Sequence, residues 1–169
     1  MNPPLPSFTL CILLLISSTA FAVAPTSQPI GEVVRHGLCV QSDAKSYSQP
    51  QSTAGYATTG LLRLTEATTD VPLRKGIGFG FIWKARNLPD RPVITYRVEH
   101  PAITRPDGVT LDHFEEDLEE QAANGSIETI DCYMLSEEHE LVPGVWTLSV
   151  FFRGSLLAKK SFRVYATQP

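Results

Sequence analysis

The chain has 169 residues, of which 19% are charged, and its formal net charge is −4. This length suits one domain with a single core, not two. A mildly acidic balance argues against general nucleic-acid binding, which needs a basic surface, so no nucleic-acid partner is expected.

The N-terminus has the pattern of a secretory signal peptide. Phe8 to Ile16 is a short apolar run, and small residues follow it. Cleavage is expected after Ala22 or Ala24, which assigns residues 1–22 to the signal and makes the protein periplasmic or secreted. The alternative is an uncleaved anchor, although no Lys or Arg precedes the run and it is well short of the about 20 residues that span a bilayer.

The mature chain is expected to hold one domain and one pair of cysteines. Residues 23–29 are predicted to be a disordered lead-in, and residues 30–165 to form the domain. No later segment is apolar enough to cross a membrane. Cys39 and Cys132 remain after cleavage. An oxidising compartment permits a disulfide between them, and the alternative is two separate buried thiols.

Alternating apolar residues predict a series of strands along the domain. In the first strand, 30–40, one face is expected to carry Ile30, Val34, Leu38 and Val40. A polar loop is predicted at 43–55, and Asp70 to Pro72 breaks the strand pattern. The other predicted strands before the C-terminal hairpin are 58–67, 75–85, 93–100, which Pro101 ends, and 127–135, with Ile130, Cys132 and Met134 on one face.

Strand 75–85 combines large and minimal side chains. Ile77, Phe79, Phe81 and Trp83 alternate with glycines at 76, 78 and 80. Repeated glycine within a strand indicates close backbone approach, a bulge or strong curvature. A phosphate-binding loop is disfavoured, because no helix start follows the glycines.

Segment 111–123 is ambiguous between a short helix and a twisted edge strand. It contains six acidic residues and no Lys or Arg. Hard cations prefer carboxylate oxygens, so Asp112, His113, Glu115 and Glu116 are candidate metal ligands. The segment lacks the alternating pattern of a calcium loop, which favours a solvated face. An intermediate interpretation is that the segment forms an acidic patch, which attracts a basic partner and raises its association rate.

The C-terminal segment 142–165 predicts a β-hairpin around a turn at 153–155. Its first strand places Trp146, Leu148, Val150 and Phe152 on one face, and its second strand does the same with Leu156, Ala158, Phe162 and Val164. A lone hairpin is marginally stable, so other strands must cover it. The expected core therefore joins the two predicted aromatic strands through Phe79, Phe81, Trp83, Trp146 and Phe162.

About seven strands separated by turns predict a single antiparallel β-sandwich of immunoglobulin-like type, with a barrel as the alternative. Several motifs are spread over residues 30–164: Gly78 to Phe81, His100-Pro101, Glu140 to Gly144 before Trp146-Thr147, and Gly154 to Val164. With these motifs the chain resembles a bacterial family of secreted domains of unknown function. The resemblance implies an all-β sandwich and supplies no catalytic residues.

No catalytic residue and no cofactor are expected. The histidines and cysteines show no zinc-ligand spacing, and no nucleophile elbow occurs. The leading hypothesis is a non-enzymatic module of the bacterial envelope that binds a protein or polymer partner through an edge strand or end loops. The alternative is a metal or small-ligand binding domain that uses the acidic segment Asp112 to Glu120. A hydrolase with paired carboxylates from separate strands is a third hypothesis.

Overall fold

The structure is a computed structural model that describes residues 27–166. Within these residues nine strands form two stacked sheets, and one 3₁₀ turn lies between two of the strands. The prediction of an all-β sandwich is confirmed, with nine strands in the described part of the chain instead of about seven. The predicted signal peptide and residues 23–26 of the lead-in lie outside the described residues.

Sheet A has four antiparallel strands in the order β2-β1-β4-β7. Its first hairpin, β1–β2, is long. β1 pairs with β4 from Ile30 to Cys39 and continues to Ser48, after which the chain turns back as β2. The strands of sheet A are β1 (Ile30–Ser48), β2 (Tyr56–Glu66), β4 (Gly78–Arg86) and β7 (Ser126–Met134).

Sheet B has five strands in the order β3-β9-β8-β5-β6, antiparallel except for the parallel pair of β3 and β9. The 3₁₀ turn Glu138–Glu140 connects β7 of sheet A to β8. The strands of sheet B are β3 (Asp70–Pro72), β5 (Val93–Thr104), β6 (Thr110–Glu119), β8 (Gly144–Phe152) and β9 (Ser155–Tyr165).

The core is built from aromatic side chains that meet between the two sheets. Phe79, Phe81 and Trp83 point inward from β4, and Trp146 and Phe162 face them from the C-terminal hairpin, all at most 1% exposed. The ring of Phe79 lies 5.9 Å from that of Trp146 and 5.1 Å from that of Phe162. Burying such large rings supplies much of the free energy that holds the sheets together.

The hairpin turn has the geometry that its residues favour. Arg153 and Gly154 both have positive φ, at 48° and 77°, which is typical of a two-residue type I′ turn. A bulge next to the turn places Leu157 of β9 opposite the step from Val150 to Phe151 of β8. It buries Leu157 and leaves Leu156 54% exposed, so the prediction that Leu156 shares the buried face was wrong.

The first hairpin departs from its predicted boundaries. β1 runs to Ser48, so the loop predicted at 43–55 is confined to residues 49–55. The face predicted to carry Ile30, Val34, Leu38 and Val40 is not a buried one, since Ile30, Val34 and Val40 are 58%, 41% and 43% exposed. The extra residue between Val33 and Arg35 explains Ile30 and Val34, because it reverses the alternation of faces before Leu38. Val40 lies beyond Cys39, the last residue of β1 that pairs with β4.

Two prolines lie within strands where the sequence predicted breaks. β5 continues through Pro101 to Thr104, and its register with β6 shifts between Glu99 and Ile103. Proline cannot donate to a ladder hydrogen bond, and such an irregularity accommodates it. Pro72 ends the short edge strand β3, which pairs with the end of β9.

A disulfide crosses the outer face of sheet A. Cys39 of β1 and Cys132 of β7 are bonded, with their Cα atoms 6.6 Å apart, although β4 lies between their strands. Gly78 makes this possible, because a Cβ atom there would lie only 2.9 Å from the Cys39 Sγ atom. The close approach inferred from the repeated glycines is confirmed at Gly78, next to the disulfide, and at Gly80, where a Cβ atom would lie 2.7 Å from the Cys132 Cα atom. At Gly76 no atom lies within 4 Å of such a Cβ position.

Candidate functional site

One side of the sandwich is open and leads into a cavity. β6 and β7 are the edge strands of their sheets on this side, and the rings of Phe114 and Tyr133 lie 6.2 Å apart between them. The turn of the β1–β2 hairpin forms a third wall, since Tyr47 and Gln49 both hydrogen-bond to Glu116. The cavity between these walls has a volume of about 260 Å³.

The lining of this cavity is mostly apolar and aromatic, with a few carboxyl groups. Six aromatic residues and three acidic residues come from six strands and the 3₁₀ turn. They are Tyr47, Tyr56, Phe81, Tyr96, Phe114 and Tyr133, together with Glu116, Asp131 and Glu140. An apolar pocket with a few convergent polar groups is the usual form of a binding site.

The acidic segment is an edge strand, not a helix, and its two faces differ. Phe114, Glu116 and Leu118 line the cavity. The alternate residues face outward and meet β5, where Glu115 pairs with Arg97 and Asp117 accepts a hydrogen bond from Thr95. The cationic partners missing from the segment itself are supplied by Arg97 of β5 and by Arg91 of the turn before β5, which pairs with Glu119.

The four candidate metal ligands do not converge on one point. The carboxylate of Asp112 lies 2.7 Å from Nδ1 of the adjacent His113, whose hydrogen bond lowers the pKa of Asp112. Glu115 and Glu116 are on opposite faces of β6, as the two-residue period of a strand requires. Across residues 27–166, no three His, Cys, Asp or Glu side chains are grouped so that they could hold a metal ion.

Asp131 is the most perturbed acid that lines the cavity. Trp83 Nε1 donates to its Oδ2 at 2.5 Å. Burial raises the pKa of Asp131 to about 7, the Trp83 hydrogen bond opposes that rise, and the charge of Glu120 adds to it. A carboxyl group that titrates near neutral pH in a cavity is a marker of a functional site.

Tyr96 extends this polar cluster from sheet B. Its hydroxyl donates to Glu120 at 2.9 Å, and its ring lies 6.4 Å from that of Trp83. Burial and the nearby carboxylates, with Asp131 the first among them, raise the pKa of the phenol. Tyr96 therefore remains a neutral donor at any physiological pH.

Two other buried ionisable groups have their polar atoms paired within the fold. Glu140 is 1% exposed and accepts hydrogen bonds from the Tyr133 hydroxyl and from the backbone N–H groups of Ser136 and Glu137. His100 stacks on Trp146 at 4.8 Å, and its Nε2 atom lies 3.0 Å from the Thr53 hydroxyl. Burial lowers the pKa of His100, so the neutral imidazole is favoured.

Sequence reasoning placed Glu116 in a candidate site but missed Asp131 and Tyr96. It grouped Ile130, Cys132 and Met134 on one face of β7 and did not consider the opposite face, which carries Asp131 and Tyr133; residues 131–134 all contribute to the cavity lining. The available signal was Tyr133, a large aromatic residue two positions from Asp131. Asp131 becomes notable only because strands distant in sequence surround it.

The arrangement suits binding more than it suits a reaction. The aromatic rings present electron-rich faces, and the carboxylates add negative charge in a partly desolvated space.

Within residues 27–166 no helix is both long and apolar enough to cross a membrane.

Among three similar solved structures, the first supports the immunoglobulin-like fold. An immunoglobulin-like protein from Pseudomonas aeruginosa is 24% identical, with a TM-score of 0.58 over 84% of this chain and 100% of the other. An alkylpurine DNA glycosylase from Pseudomonas fluorescens is 16% identical, with a TM-score of 0.40 over 58% of this chain and 28% of the other. A CARDB domain from Pyrococcus furiosus, in complex with di-metal ions, is 9% identical, with a TM-score of 0.32 over 83% of this chain and 94% of the other.

The family comparison covers nearly the whole described structure. No curated protein matches the chain. One family model matches residues 27–164. The chain therefore belongs to the family described as Domain of unknown function (DUF3859).

Proposed function

We propose that the protein is an exported, non-enzymatic module of the bacterial envelope that binds a protein partner at the open side of its sandwich. The observation that carries this proposal is the cavity between the edge strands β6 and β7, lined by aromatic rings and carboxylates. A site for a partner needs apolar surface for affinity and a few polar groups for specificity. This side of the molecule offers both.

A protein is favoured over another polymer because the site is bordered by strand edges. Each of β6 and β7 pairs with one neighbour in its sheet among the described residues. An extended segment of a partner protein can add to such an edge through main-chain hydrogen bonds, and its side chains then fill adjacent pockets. The acidic side chains of β6 favour a basic segment and repel acidic ones.

Export and the absence of catalysis rest on separate support. The apolar run that ends at Ile16 has the form of a secretory signal. The Cys39–Cys132 disulfide supports an oxidising compartment, since such bonds are rare in the cytosol. The paired environments of Glu140 and His100 support structural roles for both residues rather than catalytic ones.

Export is tested by fractionating bacteria that carry the full chain with a C-terminal epitope tag. The expected result is a tagged protein in the periplasm or medium whose N-terminus begins after Ala22 or Ala24. A protein that stays in the cytoplasm with Met1 intact would contradict the proposed export.

Partner binding is tested with a photo-crosslinking amino acid placed at Leu118, which lines the cavity and is 37% exposed. The control position is Val145 on β8 of sheet B, which is 63% exposed and does not line the cavity. We expect a discrete protein adduct from Leu118 in living cells and none of the same mass from Val145. No adduct at Leu118, or equal adducts at both positions, would contradict the proposal.

A further inference from the structure

The cavity carries negative charge that the fold itself does not neutralise. Among the described residues, the only hydrogen bond to the Asp131 side chain comes from the neutral indole of Trp83. Glu116 accepts from Tyr47 at 3.2 Å and from Gln49 at 3.0 Å, and both of these donors are also neutral. A partly buried carboxylate without a cation is unfavourable, which is the condition that a positively charged ligand relieves.

Arg97 is the one cationic residue of the lining, and its charge is engaged elsewhere. Its guanidinium pairs with Glu115, which faces outward from β6. The same group lies 5.2 Å from the centre of the Phe151 ring, a residue that does not line the cavity. Arg97 therefore leaves the Asp131 carboxylate free for a cation from outside.

The other walls are suited to the apolar stem of a cationic side chain. The rings of Tyr96, Phe114 and Tyr133 offer apolar contact and cation–π attraction. Lys and Arg side chains combine an apolar stem with a charged end, and they pack along such surfaces. The volume of about 260 Å³ is below the usual range for drug-sized ligands, so a single side chain suits it better.

We propose that the cavity is a binding site for an organic cation, the lysine or arginine side chain of the protein partner, with Asp131 as the residue that receives its charge. The inference rests on the proposed function, because the side chain belongs to the segment that lies along the open side. An anionic group would meet three carboxylates in the lining, and a neutral group would leave Asp131 without a counter-charge. Charge complementarity therefore selects the cation.

The test uses n-butylamine as a probe, because it reproduces the end of a lysine side chain. n-Butanol and n-butyrate serve as the neutral and anionic controls of the same length. The readout is the indole N–H resonance of Trp83, whose hydrogen bond ends on Asp131. The indole of Trp146 donates to the backbone carbonyl of Val142 at 3.2 Å and provides an internal control in the same spectrum.

At pH 8, the amine is expected to shift the Trp83 resonance with an affinity at least about tenfold higher than that of the alcohol, and butyrate to cause no shift. Asp131→Asn should lower the amine affinity by at least about tenfold, whereas Asp117→Asn, on the outward face of β6, should leave it unchanged. A second variant, Glu116→Gln, should weaken the amine by a smaller factor. It provides an independent test if the Asp131 variant does not fold.

Binding should also depend on pH, because protons compete with the cation for the carboxylate. The ionisable groups next to Asp131 are Glu120, whose charge raises its pKa, and Tyr96 of β5, which also lies near the charge of Glu116. With the pKa of Asp131 at about 7, the amine affinity should fall about tenfold from pH 8 to pH 6. In the Asp131→Asn variant this fall should be absent.

The inference and the proposed function fail in different ways. An amine that binds no more tightly than the alcohol, or as tightly to Asp131→Asn as to the unmodified protein, would overturn the cationic site. In that case an adduct at Leu118 would leave the protein partner in place. If the amine behaves as expected but Leu118 yields no adduct, the proposed protein partner is contradicted. The proposal that a side chain of that partner occupies the cavity is then contradicted as well.

Discussion

Two carboxylates, those of Glu140 and Asp131, line the same cavity but receive different numbers of hydrogen bonds from the rest of the fold. Glu140 receives three hydrogen bonds, from one hydroxyl and two backbone N–H groups. Asp131 receives one, from Trp83, and has a pKa of about 7. Full satisfaction makes Glu140 part of the structure, since its removal would strand three donors. The incomplete satisfaction of Asp131 marks it as the group that an external partner completes.

The largest expected effect tests the aromatic packing behind both carboxylates. Trp146 is fully buried, and its ring lies 5.0 Å from that of Tyr133, the hydroxyl donor to Glu140. Trp146→Ala should lower the free energy of unfolding by about 3–5 kcal/mol, because it removes a large core ring and leaves a cavity. Urea denaturation measures this loss, and an unchanged midpoint would show that Trp146 does not carry the core.

The second prediction concerns the sign of the effect at Asp131. Because its folded pKa is raised above the unfolded value of 3.8, its contribution to stability is fully present below about pH 4 and is lost as the pH rises through about 7. Asp131→Asn removes that loss, so the variant should be more stable than the unmodified protein at pH 8, by at most about 4 kcal/mol. The gain should shrink towards zero as the pH approaches 4.

Urea denaturation of both proteins at pH 5, 6.5 and 8 measures this difference. His100 titrates in the same range with the opposite sign, because its lowered pKa makes stability fall as the pH drops below 6.5. Comparing the two proteins at each pH cancels the contribution of His100. An Asp131→Asn variant that is less stable at pH 8 would show that Asp131 is a structural residue like Glu140.

The third prediction tests the other half of the comparison. Glu140→Gln keeps the size of the side chain but turns an amide N–H₂ towards groups that donate. It should lower the free energy of unfolding by about 2–3 kcal/mol at pH 7, because at least one buried donor loses its acceptor. The matched control is Glu138→Gln in the same turn, where the carboxylate is exposed and lies 4.0 Å from Lys75. Equal stability of the two variants would contradict the structural role of Glu140.

The parts of the fold that the sequence predicted well are governed by local rules. The C-terminal hairpin was predictable because Trp146, Leu148 and Val150 alternate and a turn follows them. Predictions failed where an irregularity interrupts the alternation, at Leu156 next to one bulge and at Val34 within another. A bulge depends on how two strands pair, and the period of one strand does not contain that information.

The candidate site was predictable only in part, for the same reason. The acidic composition pointed to Glu116, but a strand period alone did not show which face of β6 would line a cavity. Burial and the charge of Glu120 raise the pKa of Asp131, and the hydrogen bond from Trp83 opposes that rise; Glu120 and Trp83 are 11 and 48 positions away in the sequence. Such an environment is a product of the tertiary structure, and it appears once β4, β6 and β7 are assembled.

The smallest expected effect separates the two faces of the acidic strand. Glu115 lies one residue from Glu116, but its carboxylate is 41% exposed and pairs with Arg97 at the surface. Glu115→Gln should change the free energy of unfolding by less than about 1 kcal/mol, since solvent and salt screen an exposed ion pair. It should also leave the affinity for n-butylamine unchanged, whereas Glu116→Gln should lower that affinity. If the two variants weaken the amine equally, the net charge of the strand attracts the cation, and the cavity has no specific role in binding it.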